Sequence, residues 1–221
     1  MTDFSFEDYL FLLKNGADDE RRNAAWYLGR QRDIRTIEPL LAALGDSDAD
    51  VRLRVVEALG NFKDSRVVMP LVSALAEDDP RVRAAVIASL GRQADLRAFQ
   101  AVLDTLADGD AIVRSAAASA LATLNDPRAI PPLVNAMLHD ANADVRYFAT
   151  RTLQTNGGAL AVDALLLALH GEPDADQLIR ILELLATLKD SRAADAVQKL
   201  TIHDDEGVRE TALWAQGQLA K

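Results

Sequence analysis

Cysteine is absent from this chain of 221 residues, and histidine occurs only three times. Without thiols the protein can form neither disulfide bonds nor thiolate metal sites, and it fits a reducing compartment, so we expect a cytoplasmic protein. Aromatic residues make up only 5 % of the sequence, against 49 % for all hydrophobic residues. The core must therefore consist mainly of small and medium aliphatic side chains, which suit closely stacked helices.

Apolar stretches long enough to cross a bilayer are also missing. Charge interrupts the longest of them, as Asp163 does before residues 165–169. A membrane-spanning helix needs about 20 consecutive apolar residues, so we expect no membrane insertion. The start of the chain carries Glu7 and Asp8 where a secretory signal would carry positive charge, so we expect no such signal.

Positive charge is scarce in this sequence. Asp and Glu number 34 against 24 for Lys and Arg, which gives a formal net charge of −10. A protein that binds a nucleic-acid backbone needs a cationic stripe that displaces counterions. We therefore expect no nucleic-acid partner.

The dipeptide Val-Arg recurs at nearly fixed intervals. It begins at residues 51, 82, 113, 145 and 208, in steps of 31, 31, 32 and 63 residues. The last step equals two periods with one degenerate unit, in which Gln177-Leu178 replaces Val-Arg. A constant period of this length is typical of stacked repeat arrays, which usually serve as binding surfaces. The period therefore favours binding over catalysis.

Further markers recur in the same register. Val51, Val55 and Leu59 form an apolar stripe at helical spacing, and a second stripe begins at Val68. We expect Gly60 to end the first helix, because glycine permits the left-handed conformation that stops helices. An aspartate in the preceding loop is expected to cap the first helix. Each unit is therefore predicted to be an antiparallel helix pair.

The predicted fold is all-α, a right-handed α-solenoid of stacked antiparallel helix pairs with a HEAT/armadillo-like superhelix over residues 1–221. Residues 1–16 are predicted to form an N-terminal capping helix, with Ser5 and Asp8 as a capping pair. Unit five lacks the Asp-x-Arg motif and unit six lacks Val-Arg, so we expect a bend or loosening there. The units are predicted to start near Glu20, Val51, Val82, Val113, Val145, Gln177 and Val208.

The repeated arginines are predicted to fasten the stack rather than to bind an anion. They are expected to make charge-assisted hydrogen bonds to the aspartates of the Asp-x-Arg motifs in neighbouring units. The residues concerned are Arg52, Arg83, Arg114 and Arg146 with Asp64, Asp95 and Asp126.

The repeat pattern of Val-Arg, Ala-x-x-x-Leu-Gly, Asp-x-Arg and Pro-Leu resembles the HEAT-like repeats of the phycobilisome-lyase type, over about residues 20–219. Residues 22–29, with the sequence Arg-Asn-Ala-Ala-Trp-Tyr-Leu-Gly, are similar to an aromatic-rich first repeat of bilin lyases. The resemblance implies a factor that attaches, detaches or positions a linear tetrapyrrole on a phycobiliprotein subunit, often together with a second HEAT-like subunit. Trp26 and Tyr27 would then contact the tetrapyrrole.

No catalytic residue, metal site or resident cofactor is predicted. The sequence has no Gly-x-Ser-x-Gly elbow, phosphate loop or dinucleotide fingerprint. His139, His170 and His203 fall near the ends of successive second helices, with acidic residues close by. Neighbouring units would hold them about 10 Å apart, too far for one ion to bridge easily. A metal-dependent enzyme is thus the weakest alternative.

The leading hypothesis is a non-enzymatic scaffold that binds another protein through outward-facing side chains of the second helices, expected on the concave side. This mixed, mildly acidic set with apolar points suits a protein surface, although a solvated face without a partner would look similar. We call it the second-helix ridge, and it comprises Glu38, Met69, Ser73, Gln100, Asp104, Asn135, Asp163 and Leu167.

Five aromatic residues fall at positions that do not repeat and are contact candidates: Trp26, Tyr27, Tyr147, Phe148 and Trp214. Trp26 and Trp214 occupy equivalent positions in the first and last units. They either cover the exposed ends of the array or contact a partner or tetrapyrrole.

Overall fold

The structure is a computed structural model that describes residues 4–171 and 173–220. Met1–Asp3, Glu172 and Lys221 lie outside the described residues, so the predicted capping segment is described from Phe4 onward. Within the described ranges the chain forms fourteen α-helices and no β-strand, which confirms the all-α prediction. The helices are α1 Phe6–Asn15, α2 Asp18–Gln31, α3 Ile37–Ala42, α4 Ala49–Leu59, α5 Val68–Ser73, α6 Pro80–Gln93, α7 Phe99–Asp104, α8 Ala111–Leu124, α9 Ile130–His139, α10 Ala143–Asn156, α11 Gly158–Ala168, α12 Ala175–Leu188, α13 Ala194–Leu200 and α14 Glu206–Leu219.

The first helices begin at a constant offset of two residues from the predicted unit starts. Each first helix, from α2 to α14, begins two residues before the predicted start. In α4 the capping residue Asp48 lies immediately before the helix, and its carboxylate accepts the N–H of Val51, the third helical residue, at 2.9 Å. In α1 the predicted capping pair is also confirmed, since the Ser5 N–H donates to Asp8 at 2.8 Å and the Asp8 N–H donates to Ser5 at 3.2 Å.

Most second helices are entered through a short 3₁₀ turn that the Asp-x-Arg motif organises. The Asp64 carboxylate accepts the Arg66 N–H at 2.9 Å and also pairs with the Arg66 side chain. Unit five, without this motif, instead enters α11 through Gly157 and Gly158, and Gly158 has a φ of +47°. The missing motif thus changes the local entry into the second helix.

The Cα packing divides the chain into two compact units, Met1–Leu124 and Asn125–Lys221. In the first unit, α2, α4, α6 and α8 pack one on the next, and the valine of each Val-Arg pair is buried. In the second unit, α12 packs on α14 and α9 packs on both α10 and α11. Whether the chain is one continuous array, and whether it bends at units five and six, stay predictions.

The glycine of Leu-Gly has a different role from the one predicted. Gly60 has a φ of −62°, an ordinary right-handed value, so it does not stop the helix by a left-handed turn. At the equivalent Gly29, an added Cβ would lie 2.5 Å from Cβ of Ala58 and 2.7 Å from its Cα. The glycine therefore permits the close approach of α2 and α4. The left-handed residues lie farther along the chain, at Arg32 and Ala94 among others.

Arg52 and Arg83 do link neighbouring repeats, but not through the predicted aspartates, whereas Arg146 donates to the Asp140 and Ala141 carbonyls of the loop before its own helix. Arg52 pairs with Glu77 at 2.5 Å and Arg83 pairs with Asp108 at 2.9 Å, each 25 residues ahead. Arg52 lies in the first turn of α4, whereas the motif aspartates, such as Asp64, lie beyond the other ends of the first helices, and an 11-residue helix is about 16 Å long. The aspartates of the motif are instead occupied by their own arginines, two residues away.

None of the helices in residues 4–171 and 173–220 has both the length and the apolar character that a bilayer crossing requires.

Candidate interaction surface

In the first compact unit the second-helix ridge is carried by α3, α5 and α7. All five of its side chains here are exposed to solvent, and half of the Met69 surface is accessible. The opposite side of each short helix is buried, as at Ile37, Val68 and Phe99. The exposed members are Glu38, Met69, Ser73, Gln100 and Asp104.

The polar members of this part of the ridge are held by weak, exposed contacts. Glu38 accepts from Arg66 of the next repeat at 3.3 Å, and the Gln100 amide donates to Asp104 at 2.7 Å. Behind the ridge, the side-chain and then the backbone hydrogen bonds from Arg66 lower the pKa of Asp64 to about 2. The motif aspartates therefore stay ionised and fixed, while the ridge side chains of this unit are exposed to solvent.

Three further ridge residues lie in the second compact unit, and all three are exposed. Asn135 is on α9, and Asp163 and Leu167 are on α11, where Leu167 is 72 % exposed. Asp163 pairs with Arg192 at 2.5 Å. The participation of these residues in binding stays a prediction.

A groove of about 500 Å³ opens between α1 and α3 in the first unit. Its apolar lining includes Leu10 and Leu13 from α1 and Pro39 and Ala42 from α3. Because α3 also carries Glu38, this groove adjoins the beginning of the second-helix ridge. The sequence did not indicate this groove, since it depends on how the capping helix α1 lies against α3, the second helix of the first repeat.

The two aromatic candidates on α2 differ in environment. Trp26 is half exposed, and the Arg30 guanidinium lies over its ring, 4.8 Å from the centroid. Tyr27 is partly buried and stacks on Tyr9 of α1, with ring centroids 3.8 Å apart and an interplanar angle of 18°. Tyr27 is thus engaged in packing the capping helix, whereas Trp26 presents its surface to solvent.

The remaining aromatic candidates lie in the second unit. Tyr147 is exposed and packs edge to face with Phe148 at 5.3 Å, and Arg151 donates a hydrogen bond to the Tyr147 hydroxyl at 3.3 Å. Trp214 on α14 is half exposed. These positions suit either contact with a partner or covering of a repeat, so both interpretations stay open.

The histidines make separate local contacts. His139 lies 3.1 Å from the Gln177 amide, His170 lies 3.0 Å from the Leu166 carbonyl, and His203 accepts from the Asp205 N–H at 3.1 Å. No cluster of three or more His, Cys, Asp or Glu side chains suited to a metal ion occurs in the described part of the chain.

A family profile described as HEAT repeats matches residues 10–90 and 68–154, which together span more than half of the chain. The chain belongs to the HEAT-repeat family. A comparison with curated proteins found no match.

Several solved structures share this HEAT-type fold. The complex of CpcE and CpcF of phycocyanin lyase from Nostoc sp. PCC7120 is 21 % identical, with a TM-score of 0.63, and the match covers 99 % of this chain and 96 % of that chain. An archaeal HEAT-like repeats protein from Thermococcus onnurineus NA1 is 16 % identical, with a TM-score of 0.52 and coverages of 100 % and 98 %. A designed armadillo repeat protein in complex with peptide (KR)4 is 18 % identical, with a TM-score of 0.55 and coverages of 98 % and 100 %. At these identities the likeness establishes the helical-repeat solenoid class.

Proposed function

We propose that this HEAT-repeat protein is a non-enzymatic scaffold that binds another protein through its second-helix ridge. The observation that carries the proposal is the apolar groove beside α3, which adjoins a row of exposed polar and apolar ridge side chains. Protein interfaces commonly combine an apolar anchor buried in a pocket with a polar rim. Here the groove would receive the anchor, and the ridge would supply the rim.

The charges of the ridge indicate the chemistry of its partner. Glu38, Asp104 and Asp163 are exposed carboxylates, of which Glu38 pairs with Arg66 and Asp163 with Arg192, and the eight named ridge residues include no lysine or arginine. A partner segment with basic residues and one apolar anchor therefore fits best. The designed armadillo repeat protein, which has a similar fold, was solved in complex with the basic peptide (KR)4, and this supports a basic partner segment here.

The test is affinity capture with mass spectrometry, followed by measurement of binding with the purified partner. Met69→Lys replaces an apolar ridge side chain with a charge that repels a basic partner, and Ala42→Phe fills the groove. Ile112→Lys is the matched control, because Ile112 is 53 % exposed, against 50 % for Met69, but lies on a first helix. We expect both ridge-side variants to weaken binding at least tenfold and the control to bind normally. Equal binding by all three would refute the proposal.

A second function is favoured by the exposed indole of Trp26. This residue lies in the segment similar to bilin lyases, and the fold is shared with the CpcE and CpcF complex. On this hypothesis the protein holds a phycobiliprotein subunit, alone or with a second HEAT-like subunit, and attaches, detaches or positions its linear tetrapyrrole. Trp26 would pack on the conjugated chain.

This second function predicts a visible spectrum that changes on mixing with a linear tetrapyrrole. The absorption band should shift and intensify with the native protein and with Trp214→Ala, but not with Trp26→Ala. An unchanged band with the native protein would argue against a tetrapyrrole ligand and would leave the scaffold proposal intact.

A further inference from the structure

A cationic cleft lies on the first helices of the first compact unit, apart from the second-helix ridge. It encloses about 340 Å³ between α2, α4 and α6, within the size range of pockets for small ligands or single side chains. The polar and aromatic lining consists of Trp26, Arg30, Arg54, Glu57, Asn61 and Arg92.

The charge of the cleft is opposite to that of the chain. Three guanidinium groups face one carboxylate, a local net charge of +2 in a protein of net charge −10. Arg54 pairs with Glu57 at 2.7 Å. Among the described residues, neither Arg30 nor Arg92 has a carboxylate within salt-bridge distance. The cleft therefore holds positive charge that the protein does not neutralise.

The Arg92 guanidinium is held in place before any ligand binds. Its Nη2 donates to Oγ of Ser89 at 2.9 Å, and its Nε donates to the Gly60 carbonyl at 3.3 Å. Ser89 is fully buried and donates to the Val56 carbonyl at 3.0 Å. A Cβ at Gly60 would collide with Nη2 of Arg92 and with Ser89, so this glycine keeps the space that Arg92 occupies.

The other side of the cleft combines charge with an aromatic surface. Arg30 lies over the Trp26 ring, and the Asn61 amide is fixed by the Gly29 carbonyl at 3.3 Å. A guanidinium that is already oriented loses less entropy when it binds a carboxylate. The half-exposed indole beside it can pack against an apolar side chain.

We propose that this cleft binds the carboxylates of an acidic peptide segment in a partner protein, with a neighbouring apolar side chain packed on Trp26. A local charge of +2 matches one or two carboxylates. A nucleic-acid backbone would require many more cations than this cleft offers, and the net negative charge of the chain would repel it. The inference does not depend on the second-helix ridge, and either site can exist without the other.

The test uses Trp26 as the reporter. The chain has only two tryptophans, so Trp214→Phe leaves Trp26 as the sole indole. The probe is the peptide acetyl-Gly-Ser-Leu-Glu-Glu-Gly-Ser-amide, with the Gln-Gln peptide as the neutral control. We expect a saturable change in Trp26 emission with the acidic peptide and at least tenfold weaker binding of the control.

Three variants assign the effect to the cleft. Arg92→Gln removes the charge, and Gly60→Ala displaces Arg92 without changing the charge of the protein. Both should weaken binding about tenfold, whereas Arg66→Gln, another exposed arginine, should have no effect. Thermal unfolding checks that each variant is folded, and calorimetric titration of the native protein replaces fluorescence if Trp214→Phe does not fold.

Each outcome decides the proposal. Saturable binding that requires glutamate and weakens in Arg92→Gln supports it. Equal binding of the two peptides, no saturable signal, or competition by inorganic phosphate at the same concentration as the acidic peptide would overturn it. Competition by phosphate would reassign the cleft as a general anion site.

Discussion

Arg83 binds Asp108 through two parallel hydrogen bonds, from Nε and Nη2 to the two carboxylate oxygens, each 2.9 Å long. The pair joins α6 to the loop before α8, and only 17 % and 13 % of the two side chains are exposed. Nη1 of Arg83 also donates to the carbonyls of Glu77 and Asp78. One guanidinium therefore fixes both the start of its own helix and the following repeat.

The first prediction follows from this pair. Arg83→Ala should lower the free energy of unfolding by about 2 kcal/mol, because it removes two charge-assisted hydrogen bonds to the partly buried Asp108 carboxylate, which keeps its hydrogen bond from the Asp110 N–H. Urea denaturation followed by circular dichroism measures the change. Arg81→Ala is the control, since Arg81 is more than half exposed and pairs only with Asp79 and Asp50. Loss of partner binding without loss of stability would contradict a structural role for Arg83.

The second prediction contrasts two helical glycines. Gly29→Ala should destabilise the protein by about 1–3 kcal/mol, because the new methyl group would be forced against the Ala58 backbone. Gly217→Ala on α14 should instead stabilise it by about 0.5–1 kcal/mol, since nothing lies within 4 Å of the added Cβ and alanine favours the helix. Melting curves of the two variants test this, and a shift in the same direction for both would refute the close-approach role of Gly29.

The period of the sequence was sufficient to place the helix pairs, because buried valines and capping aspartates recur at a constant distance. The same repetition could not choose the partner of Arg83, since the motif aspartates and the acidic residues at the position of Asp108 both recur with the period of the arginine. Only the length of the first helix separates these two sets of carboxylates. Likewise, Leu-Gly lies within two residues of the helix end, but at Gly29 glycine is needed because the neighbouring helix packs closely against it.

Only part of the candidate site could be predicted, because the repeat pattern does not contain the contacts between different helices. Exposure of the ridge follows from helical spacing within one unit. The groove beside Leu13 requires α1 and α3 to meet, and the cleft around Arg92 requires α2, α4 and α6 to meet, so the side chains that line each of them come from different helices. The sequence pattern did not single out Arg92, because polar residues also follow the Leu-Gly pairs of the other units. The useful signal was the set of non-repeating positions, of which Trp26 is one.

The third prediction concerns acid stability. Side-chain hydrogen bonds from the arginine two residues ahead, followed by its backbone N–H, lower the pKa of Asp64, Asp95 and Asp126 from 3.8 to about 2. A carboxylate with a lowered pKa in the folded state stabilises the protein above its unfolded pKa, and this contribution disappears as the pH falls through the folded value. We therefore expect stability from these groups to be constant above about pH 5 and to fall between about pH 4 and pH 2.

The pH dependence of the melting temperature tests this expectation. Asp95→Asn should lower the melting temperature at pH 7 and reduce its further fall on acidification, because the substituted residue cannot be protonated. Asp104→Asn, at an exposed ridge position, serves as the control and should melt like the native protein. A native melting temperature that does not change between pH 5 and pH 2 would exclude the effect.

The last prediction separates packing from binding at Tyr27. Its ring stacks on Tyr9, so Tyr9→Leu and Tyr27→Leu should each weaken the docking of α1 by about 0.5–1.5 kcal/mol, and the double variant should lose less than the sum of the two. Hydrogen exchange of the α1 amides measures this local stability. Phe11→Leu is the control on the same helix, because Phe11 is 65 % exposed. If Tyr27→Leu leaves exchange unchanged but abolishes binding of a protein or tetrapyrrole, Tyr27 is a contact residue and the stack has no structural importance.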